Sequence, residues 1–281
     1  MYRKIEEILN AKIISNTSIS GGCIANSQII KTADGDKYFL KSYGTNSTIL
    51  QNEANGLNEL AKSRTVRIPK VIAITDDSLL LEFIETGRKA NDFSELFGHQ
   101  FAKMHQTTSN KFGFFENNFI GSNPQINIWK GGGWADFFWE NRLLFQFKLA
   151  EQNGHVNSEF RKLFSLLEKE LPSILDGTEE APTLMHGDLW SGNFMVDENG
   201  NPVLIDPAVY YGHREADLAM TKLFGGFDSK FYSSYNSKYP LPSGWECRMD
   251  LYKLYHVLNH LNLFGSSYYS HAISIIRKYV K

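Results

Sequence analysis

The first part of the chain alternates between apolar and polar positions in a way that predicts a small sheet with two helices. Short apolar runs separated by Asp-Gly and Asp-Asp turns predict three strands, a helix over roughly residues 48–62, and two further strands. An opening helix before them has one apolar side, formed by Ile5, Ile8 and Leu9. The chain becomes polar at residues 85–89 and helical beyond. We therefore expect a domain boundary there, with residues 1–85 as a first lobe and 86–281 as a second.

From residue 92 onward the apolar positions recur mainly at helical spacing, beginning with Leu96, Phe97, Phe101 and Ala102. Residues 110–133 are rich in Gly, Asn and aromatic residues and predict an ordered loop, and an apolar hairpin occupies residues 183–206. The remaining segments predict helices at about 134–153, 158–171 (ended by Pro172), 215–224, 230–235, 246–264 and 267–281. This order of elements favours an α+β protein, strand-rich at first and helical afterwards.

Composition and charge narrow the range of functions. The chain is 42% hydrophobic, 14% aromatic and 21% charged, which is typical of a folded protein. Its net charge is −2 and it has no basic blocks, so we expect no nucleic-acid or membrane partner. Cys23 and Cys247 form no CxxC pattern, which disfavours a disulfide framework or a cysteine-built zinc site. With an acidic start and no apolar run of about 18 residues, a cytoplasmic protein is expected.

The hairpin near residue 200 carries the most informative polar residues. Asp188 lies five residues before Asn193, and Asp206 follows an apolar run thirteen residues after Asn193. The turn sequence Asp197-Glu198-Asn199-Gly200 between two apolar triplets predicts that the chain reverses there. The reversal would bring Asp206 back towards Asp188 and Asn193, so that two carboxylates and one amide converge.

This set of side chains suits phosphoryl transfer from a magnesium nucleotide. One Asp would orient the attacking hydroxyl and accept its proton, while the Asn and the other Asp would hold the metal on the phosphates. Mg²⁺ prefers hard oxygen ligands and takes few protein groups. The alternative is a polar turn with helix caps, and the position of Asp206 at a strand end favours the catalytic interpretation over it.

Three features of the first lobe fit a nucleotide site. Gly21-Gly22 between two strands would let backbone N–H groups approach phosphate, although the pair also suits a plain hairpin turn. Lys41 ends an apolar strand and Glu53 follows twelve residues later on a predicted helix, so an ion pair that positions the lysine on phosphate is feasible. The alternative is two solvated charges. Cys23, beside the glycine pair, is either a redox-sensitive thiol or a small loop residue.

Other residues near Asp188 admit two interpretations each. Trp190 would stack on the sugar face of an acceptor, or it is a core tryptophan. His186 is expected to brace the loop rather than to transfer a proton. Asp217 lies at a predicted helix start, where it would either hydrogen-bond the catalytic loop or act as a first-turn acid favoured by the helix dipole.

Several motifs together carry a family resemblance. The first lobe has Gly21-Gly22-Cys23-Ile24, Phe39-Leu40-Lys41 and Glu53-Ala54-Asn55-Gly56-Leu57. The strongest motifs are His-Gly-Asp-Leu-Trp-Ser-Gly-Asn at residues 186–193, and Asp206-Pro207-Ala208 followed by Tyr211-Gly212-His213. They resemble the protein-kinase-like superfamily and, within it, the fructosamine kinase (ketosamine 3-kinase) family. Asp206 precedes Pro-Ala rather than Phe-Gly, and the chain has no GxxxxGK[ST] phosphate loop, which agrees with this placement.

The resemblance implies a two-lobed protein-kinase-like fold with ATP bound between the lobes. Asp188 would be the catalytic base, and Asn193 with Asp206 would hold Mg²⁺. The residues implied for nucleotide binding are Gly21, Gly22, Lys41, Glu53, Glu82, Phe83 and Ile84, the last three along the adenine.

The implied reaction transfers the ATP γ-phosphate to the 3-hydroxyl of a ketosamine, either free or on a glycated protein lysine. The unstable product then releases the amine. We expect a monomer or weak dimer.

Two rival functions remain open at this point. An aminoglycoside, choline or other small-alcohol kinase would keep the chemistry and change the acceptor. A non-catalytic nucleotide-binding pseudokinase is disfavoured because Lys41, Glu53, Asp188, Asn193 and Asp206 are all present.

Overall fold

The computed structural model describes residues 2–19, 26–43 and 47–280. The first lobe is a five-stranded antiparallel sheet with strand order β1-β2-β3-β5-β4 and two helices. In chain order its elements are α1 (Tyr2–Leu9), β1 (Ile13–Ile19), β2 (Asn26–Thr32), β3 (Lys37–Ser42), α2 (Ser47–Lys62), β4 (Val71–Ile74) and β5 (Ser78–Glu82). This is the order of helices and strands that the hydrophobic pattern predicts.

Alternation along β3 determines which side chain faces which helix. Leu40 joins Ile5 of α1 and Ile30 in a small apolar cluster on one face of the sheet. The next residue, Lys41, points to the opposite face, because successive side chains of a strand alternate. On that face Leu79 of β5 packs with Leu57 of α2. Lys41 is therefore directed towards α2, in the cleft between the sheet and that helix.

The second lobe is mainly helical, with three short two-stranded sheets. Its helices are α3 (Phe93–Met104), α4 (Trp134–Phe138), α5 (Phe145–Gln152), α6 (Ser158–Leu175), α7 (Arg214–Thr221), α8 (Ser229–Lys238), α9 (Trp245–Phe264) and α10 (Tyr269–Ile276), with a π-helical segment at Trp139–Leu144 and a 3₁₀ turn at Ser266–Tyr268. Its strands are β6 (Asn118–Ile120), β7 (Asn123–Gln125), β8 (Thr183–Met185), β9 (Phe194–Val196), β10 (Pro202–Leu204) and β11 (Tyr210–Gly212). They pair antiparallel as β6–β7, β9–β10 and β8–β11.

Three local predictions are corrected by the structure. The uninterrupted helix predicted at 134–153 contains the π-helical segment, whose wider turn buries the consecutive side chains of Asn141, Arg142 and Leu143. The helix predicted to stop at Pro172 continues to Leu175, because burying the last turn offsets the backbone hydrogen bond lost at proline. The predicted loop at 110–133 contains the β6–β7 hairpin, whose strands are too short to show a period.

One hydrophobic cluster joins the two lobes. It contains Leu50 and Leu57 of α2 together with Phe97 of α3, Leu184 of β8 and Leu204 of β10. The sheet, the first helix of the second lobe and the strands that carry the polar loop therefore pack against one another. The change from sheet to helix falls between β5 and α3, and a boundary at residue 85 stays a prediction. Within the described ranges, no helix combines the length and apolarity needed to cross a membrane.

Candidate active site

The loop after β8 is held from behind by a buried aspartate. Asp217 of α7 accepts hydrogen bonds from the backbone N–H groups of His186 (2.7 Å) and Gly187 (2.9 Å). It also accepts one from Nε2 of His105 (3.1 Å), whose Nδ1 lies 2.7 Å from the Tyr235 hydroxyl. Burial disfavours the Asp217 carboxylate, yet these donors outweigh it and keep the pKa of Asp217 below its usual value. Of the two roles considered for Asp217, the structure shows the loop contact.

His186 braces the loop as a neutral ring. Its Nε2–H donates to the carbonyl of Ile205 (3.0 Å), and its Nδ1 accepts the backbone N–H of Asp188 (3.3 Å). Burial lowers the pKa of His186, so the imidazole is uncharged at neutral pH. The ring thereby ties the Asp188 loop to the strand end that precedes Asp206, as predicted.

The segments around Gly187 and Ala208 interlock. The N–H of Ala208 donates to the carbonyl of His186 (2.9 Å). Gly187 has φ +82°, and a Cβ built on it would lie 2.0 Å from the carbonyl oxygen of Ala208. Only glycine satisfies both the left-handed backbone and this close approach.

The β9–β10 hairpin forms where the sequence predicts it. The Asp197 carboxylate closes its turn by accepting the N–H groups of Asn199 (3.0 Å) and Asn201 (2.8 Å). At the open end, Asn193 Nδ2 donates to the carbonyl of Asp188 (2.8 Å) and to its Oδ2 (3.1 Å), and lies 3.5 Å from the carbonyl of Asp206. The Asn193 amide thus contacts the Asp188 carboxylate and the backbone of Asp206, and the Asp206 carboxylate is close enough to Asp188 to raise its pKa, in agreement with the predicted convergence.

The environment of Asp188 makes its carboxylate more basic than usual. Burial raises the pKa of Asp188 well above its ordinary range, and the nearby Asp206 and Asp217 carboxylates raise it further against the hydrogen bond from Asn193. Part of the residue remains open to solvent. Asp188 thus combines proton affinity with partial exposure to solvent, which are the two properties that a general base requires.

Lys41 lies between two carboxylates from different elements. Its Nζ is 2.6 Å from Oε1 of Glu53 on α2, and it forms a second ion pair with Asp206. Burial disfavours the ammonium, but the two carboxylates outweigh it and raise the pKa of Lys41 above its usual value. Lys41 and Glu53 are therefore paired, and the alternative of two solvated charges is wrong. Asp206 has φ +54°, and its side chain is 43% exposed, so that its carboxylate is accessible to a ligand as well as to Lys41.

Helix α2 is fastened to the second lobe at the segment after Asp206. Gly56 packs so closely that a Cβ there would lie 3.3 Å from the side chains of Pro207 and Val209. The Tyr211 hydroxyl donates to Oε1 of Glu59 on the same helix (2.9 Å). Glu53 is thus positioned relative to Asp206 by direct contacts of α2. Sequence reasoning missed this arrangement, for which the glycine within the predicted helix was the available clue.

A buried amide network supports the other side of the Asp206 segment. Gln125 Nε2 donates to the carbonyl of Ala208 (3.0 Å), and Asn118 Nδ2 donates to that of Val209 (2.8 Å). The guanidinium of Arg142 lies 3.9 Å from the centre of the Tyr210 ring and donates to Asn127 Oδ1 (2.7 Å). Residues of the predicted loop at 110–133 therefore help to position the segment after Asp206. The Asn-rich composition of the loop did not specify this role.

Glu82 ends β5, the strand that leads to the second lobe, and its side chain has a structural role. The Glu82 carboxylate accepts Nη2 of Arg67 (2.9 Å) and the N–H of Lys70 (3.1 Å). Arg67 also donates to Asp197 in the hairpin turn (3.0 Å). The N–H of Glu82 is engaged as well, because it donates to the carbonyl of Lys70 (2.8 Å), and contact of residues 82–84 with adenine stays a prediction. Phe83 is half-buried below Lys37, and Ile84 is buried.

The remaining predicted site residues have different outcomes. Gly21, Gly22 and Cys23 lie outside the described residues. Trp190 is half-buried rather than enclosed in the core, and its ring stands edge-on to Phe224 with 5.9 Å between centroids.

The oxygen atoms around Asn193 fit a magnesium ion. Because Asn193 Nδ2 is engaged with Asp188, its amide oxygen is free of that contact; Nδ2 also lies 3.5 Å from the backbone carbonyl of Asp206, whose side chain is 43% exposed. Hard oxygen ligands in small number are what Mg²⁺ takes from proteins that bind it with a nucleotide. The described residues contain no group of three or more His, Cys, Asp or Glu that would hold a metal by themselves.

The fold and the arrangement of these charged residues define a phosphotransferase of the protein-kinase-like class. Aminoglycoside phosphotransferase APH(2'')-Ib in its ADP-bound form has the same fold, with a TM-score of 0.70 at 14% identity over 100% of this chain and 98% of that one. The fructosamine kinase family model matches residues 2–281. The chain belongs to the fructosamine kinase family and is an ATP-dependent phosphotransferase.

Individual relatives agree with this placement. A chloroplastic protein-ribulosamine 3-kinase from Oryza sativa subsp. japonica is 42% identical over 96% of this chain and 80% of its own length. The ketosamine-3-kinase of Mus musculus is 33% identical over 93% of each chain. A solved Thermobifida fusca structure, provisionally described as a fructosamine-3-kinase, has a TM-score of 0.89 at 30% identity, covering 99% of this chain and 97% of that one.

Proposed function

We propose that this protein transfers the γ-phosphate of ATP to the 3-hydroxyl of ketosamines, with Asp188 as the catalytic base. The observation that carries the proposal is the single connected set of contacts that joins Asp188, Asn193, Asp206, Lys41 and Glu53. The names of the rice and mouse relatives, a ribulosamine 3-kinase and a ketosamine-3-kinase, support a sugar–amine acceptor.

Each residue has a distinct task in this proposal. Asp188 accepts the proton of the attacking hydroxyl, while the hydrogen bond from Asn193 fixes the direction of its carboxylate. Lys41, held by Glu53, places a positive charge beside the position of the phosphates. Alignment and charge neutralisation supply most of the rate in this chemistry, since the protein forms no covalent intermediate.

The proposed cofactors follow from the donor atoms present. Asn193 and Asp206 would hold Mg²⁺, which when bound neutralises negative charge on the phosphates. The backbone of residues 82–84 would contact adenine, and Gly21-Gly22 would cover the phosphates.

The proposed biological role is removal of sugar from glycated amines. A ketosamine phosphorylated at C3 is expected to lose the amine, so the reaction would reverse glycation of free amines or protein lysines. We further propose that the protein acts in the cytoplasm as a monomer or weak dimer.

The test is an ATP-consumption assay with Mg²⁺ and separate acceptors: fructoselysine, ribuloselysine, kanamycin, choline and buffer alone. NMR of each product locates the phosphate. We expect phosphate at C3 of a ketosamine. Phosphorylation of only kanamycin or choline would keep the mechanism and replace the acceptor. Tight Mg-ATP binding without transfer to any acceptor would establish a pseudokinase instead.

A further inference from the structure

A row of ring side chains begins beside the catalytic loop and continues across the second lobe. We call it the aromatic strip, and it consists of Trp190, Phe224, His260, Phe264 and Tyr268. Ring centroids are 5.9 Å apart between Trp190 and Phe224 and 4.9 Å apart between Phe224 and His260. His260 lies 5.4 Å from Phe264 and 5.2 Å from Tyr268. The rings therefore form a continuous row that starts two residues after Asp188 in the same loop.

The aromatic strip lies at the surface of the protein. Phe264 is 59% exposed and Phe224 is 37% exposed, whereas the other three rings are half-buried. Phe264 ends α9, and Phe224 lies in the connection between α7 and α8. Because phenylalanine is usually buried, two exposed phenylalanines in one row with three further rings indicate a binding surface.

The strip carries no formal charge. Nδ1 of His260 donates to the backbone carbonyl of His256 (2.7 Å), and burial lowers the pKa of the His260 ring, so that the imidazole is neutral. A row of uncharged rings offers two things to a ligand. Its faces attract a cation through the ring quadrupole, and its apolar area covers an alkyl chain.

We propose that the aromatic strip binds the alkylammonium half of the acceptor while the sugar half lies at Asp188. The inference rests on the proposed function. The nitrogen of a ketosamine is attached at C1, close to the C3 hydroxyl, and as a secondary amine it is protonated at neutral pH. When that hydroxyl is at Asp188, the amine lies near Trp190, the first ring of the strip. The alkyl chain of the amine then continues along Phe224 and Phe264, so the strip determines which amines are good substrates.

Two acceptors that differ only in the amine test this inference. The 1-deoxyfructosyl adducts of methylamine and hexylamine share the sugar and the charge, but only hexylamine reaches along the strip. We expect the wild type to prefer the hexylamine adduct in kcat/KM. Phe264→Ala should lower kcat/KM for the hexylamine adduct about 5-fold and leave the methylamine adduct and the KM for ATP unchanged. Phe264→Tyr retains the ring and should retain the preference.

The control is Ile72→Ala, which removes a 40% exposed apolar side chain from β4 in the other lobe and should change neither adduct. Equal losses for both adducts in Phe264→Ala, or no loss for either, would overturn the inference.

Failure of the wild type to phosphorylate any ketosamine would instead contradict the proposed function. In that case calorimetric titration of both adducts in the presence of ADP still tests whether the aromatic strip binds the amine. Tighter binding of the hexylamine adduct, lost in Phe264→Ala, would support the strip, and equal binding of the two adducts would reject it.

Discussion

Lys41 of β3 and Asp206 after β10 are 165 positions apart in the chain, and their side chains form an ion pair. Glu53 of α2 contacts the same ammonium at 2.6 Å. Three elements from two lobes therefore meet at one cation. In this conformation the lysine that we propose to position the phosphates, its helix partner and the proposed metal ligand are together, and the lysine–glutamate pair is one that active protein kinases require.

Removing the cation should weaken nucleotide binding. In Lys41→Met the buried Glu53 and the neighbouring Asp206 lose their shared partner, and the phosphates lose a positive charge. We expect the affinity for Mg-ATP to fall by about 10-fold and kcat to fall by about 100-fold. Titration calorimetry and steady-state kinetics measure the two effects. Lys12→Met is the control, since Lys12 is an exposed lysine of the same lobe, paired with Glu6 at 3.3 Å. Wild-type nucleotide affinity in Lys41→Met would contradict this role.

Two glycines with similar backbones should respond differently to alanine. Gly35 has φ +94° with open space around its Cβ position, so Gly35→Ala should cost only the left-handed strain, about 1–2 kcal/mol. In Gly187→Ala the new methyl would also collide with the Ala208 carbonyl at 2.0 Å. We expect a loss in the free energy of unfolding of more than about 3 kcal/mol, measured by urea denaturation. Equal losses in the two variants would show that the interlocked segments separate easily.

Asp217→Asn should damage both stability and turnover. The amide has one accepting oxygen, whereas the two carboxylate oxygens of Asp217 accept from His186, Gly187 and His105. Loss of these bonds should cost about 3 kcal/mol and lower kcat, because the Asp188 loop is no longer fixed. Urea denaturation and kinetics test this, with Asp76→Asn (side chain 91% exposed) as the control.

The deficit of Asp217→Asn should shrink in acid. The folded-state pKa of Asp217 is depressed, so its ionised form contributes stability above the unfolded-state pKa. That contribution is lost as the pH falls through the folded-state pKa. An unchanged difference between variant and wild type across the acidic range would contradict the charged role of Asp217.

The pH dependence of turnover should report the raised pKa of Asp188. Below that pKa the carboxyl is protonated and cannot accept the substrate proton, so kcat/KM should rise with pH through it and then level off. The acidic limb is therefore expected at a higher pH than for an ordinary aspartate. A rate–pH profile with a saturating nucleotide locates the limb. A limb in the ordinary aspartate range would show that Asp188 is not the titrating base.

The hairpin core was predictable because it depends on local information. Asx and Gly residues between two apolar triplets specify the reversal at Asp197, and the spacing of Asp188, Asn193 and Asp206 then determines which groups meet. Lys41 and Glu53 were also predictable, because a strand and the helix that follows it pack together. In both cases few residues separate the partners.

Other parts depend on contacts that no local pattern contains. The π-helical segment follows from the burial of three consecutive side chains, Asn141 to Leu143, against elements far along the chain. The hydrogen bonds of Gln125 and Asn118 to the Asp206 segment cross 83 and 91 residues. The aromatic strip likewise joins Trp190 to rings of α9 and the turn after it. Such contacts become visible only when the packing of the helices is known.

The role of Asp188 as the base is tested by the single turnover of ATP with fructoselysine in Asp188→Asn and in the wild type, with the affinity for Mg-ATP measured in parallel. The substitution removes the proposed base while Asn193 retains an oxygen to which it can donate. We expect wild-type nucleotide affinity and a rate of phosphoryl transfer that is lower by about 1,000-fold or more. Near-normal transfer in Asp188→Asn would contradict the assignment of Asp188 as the base.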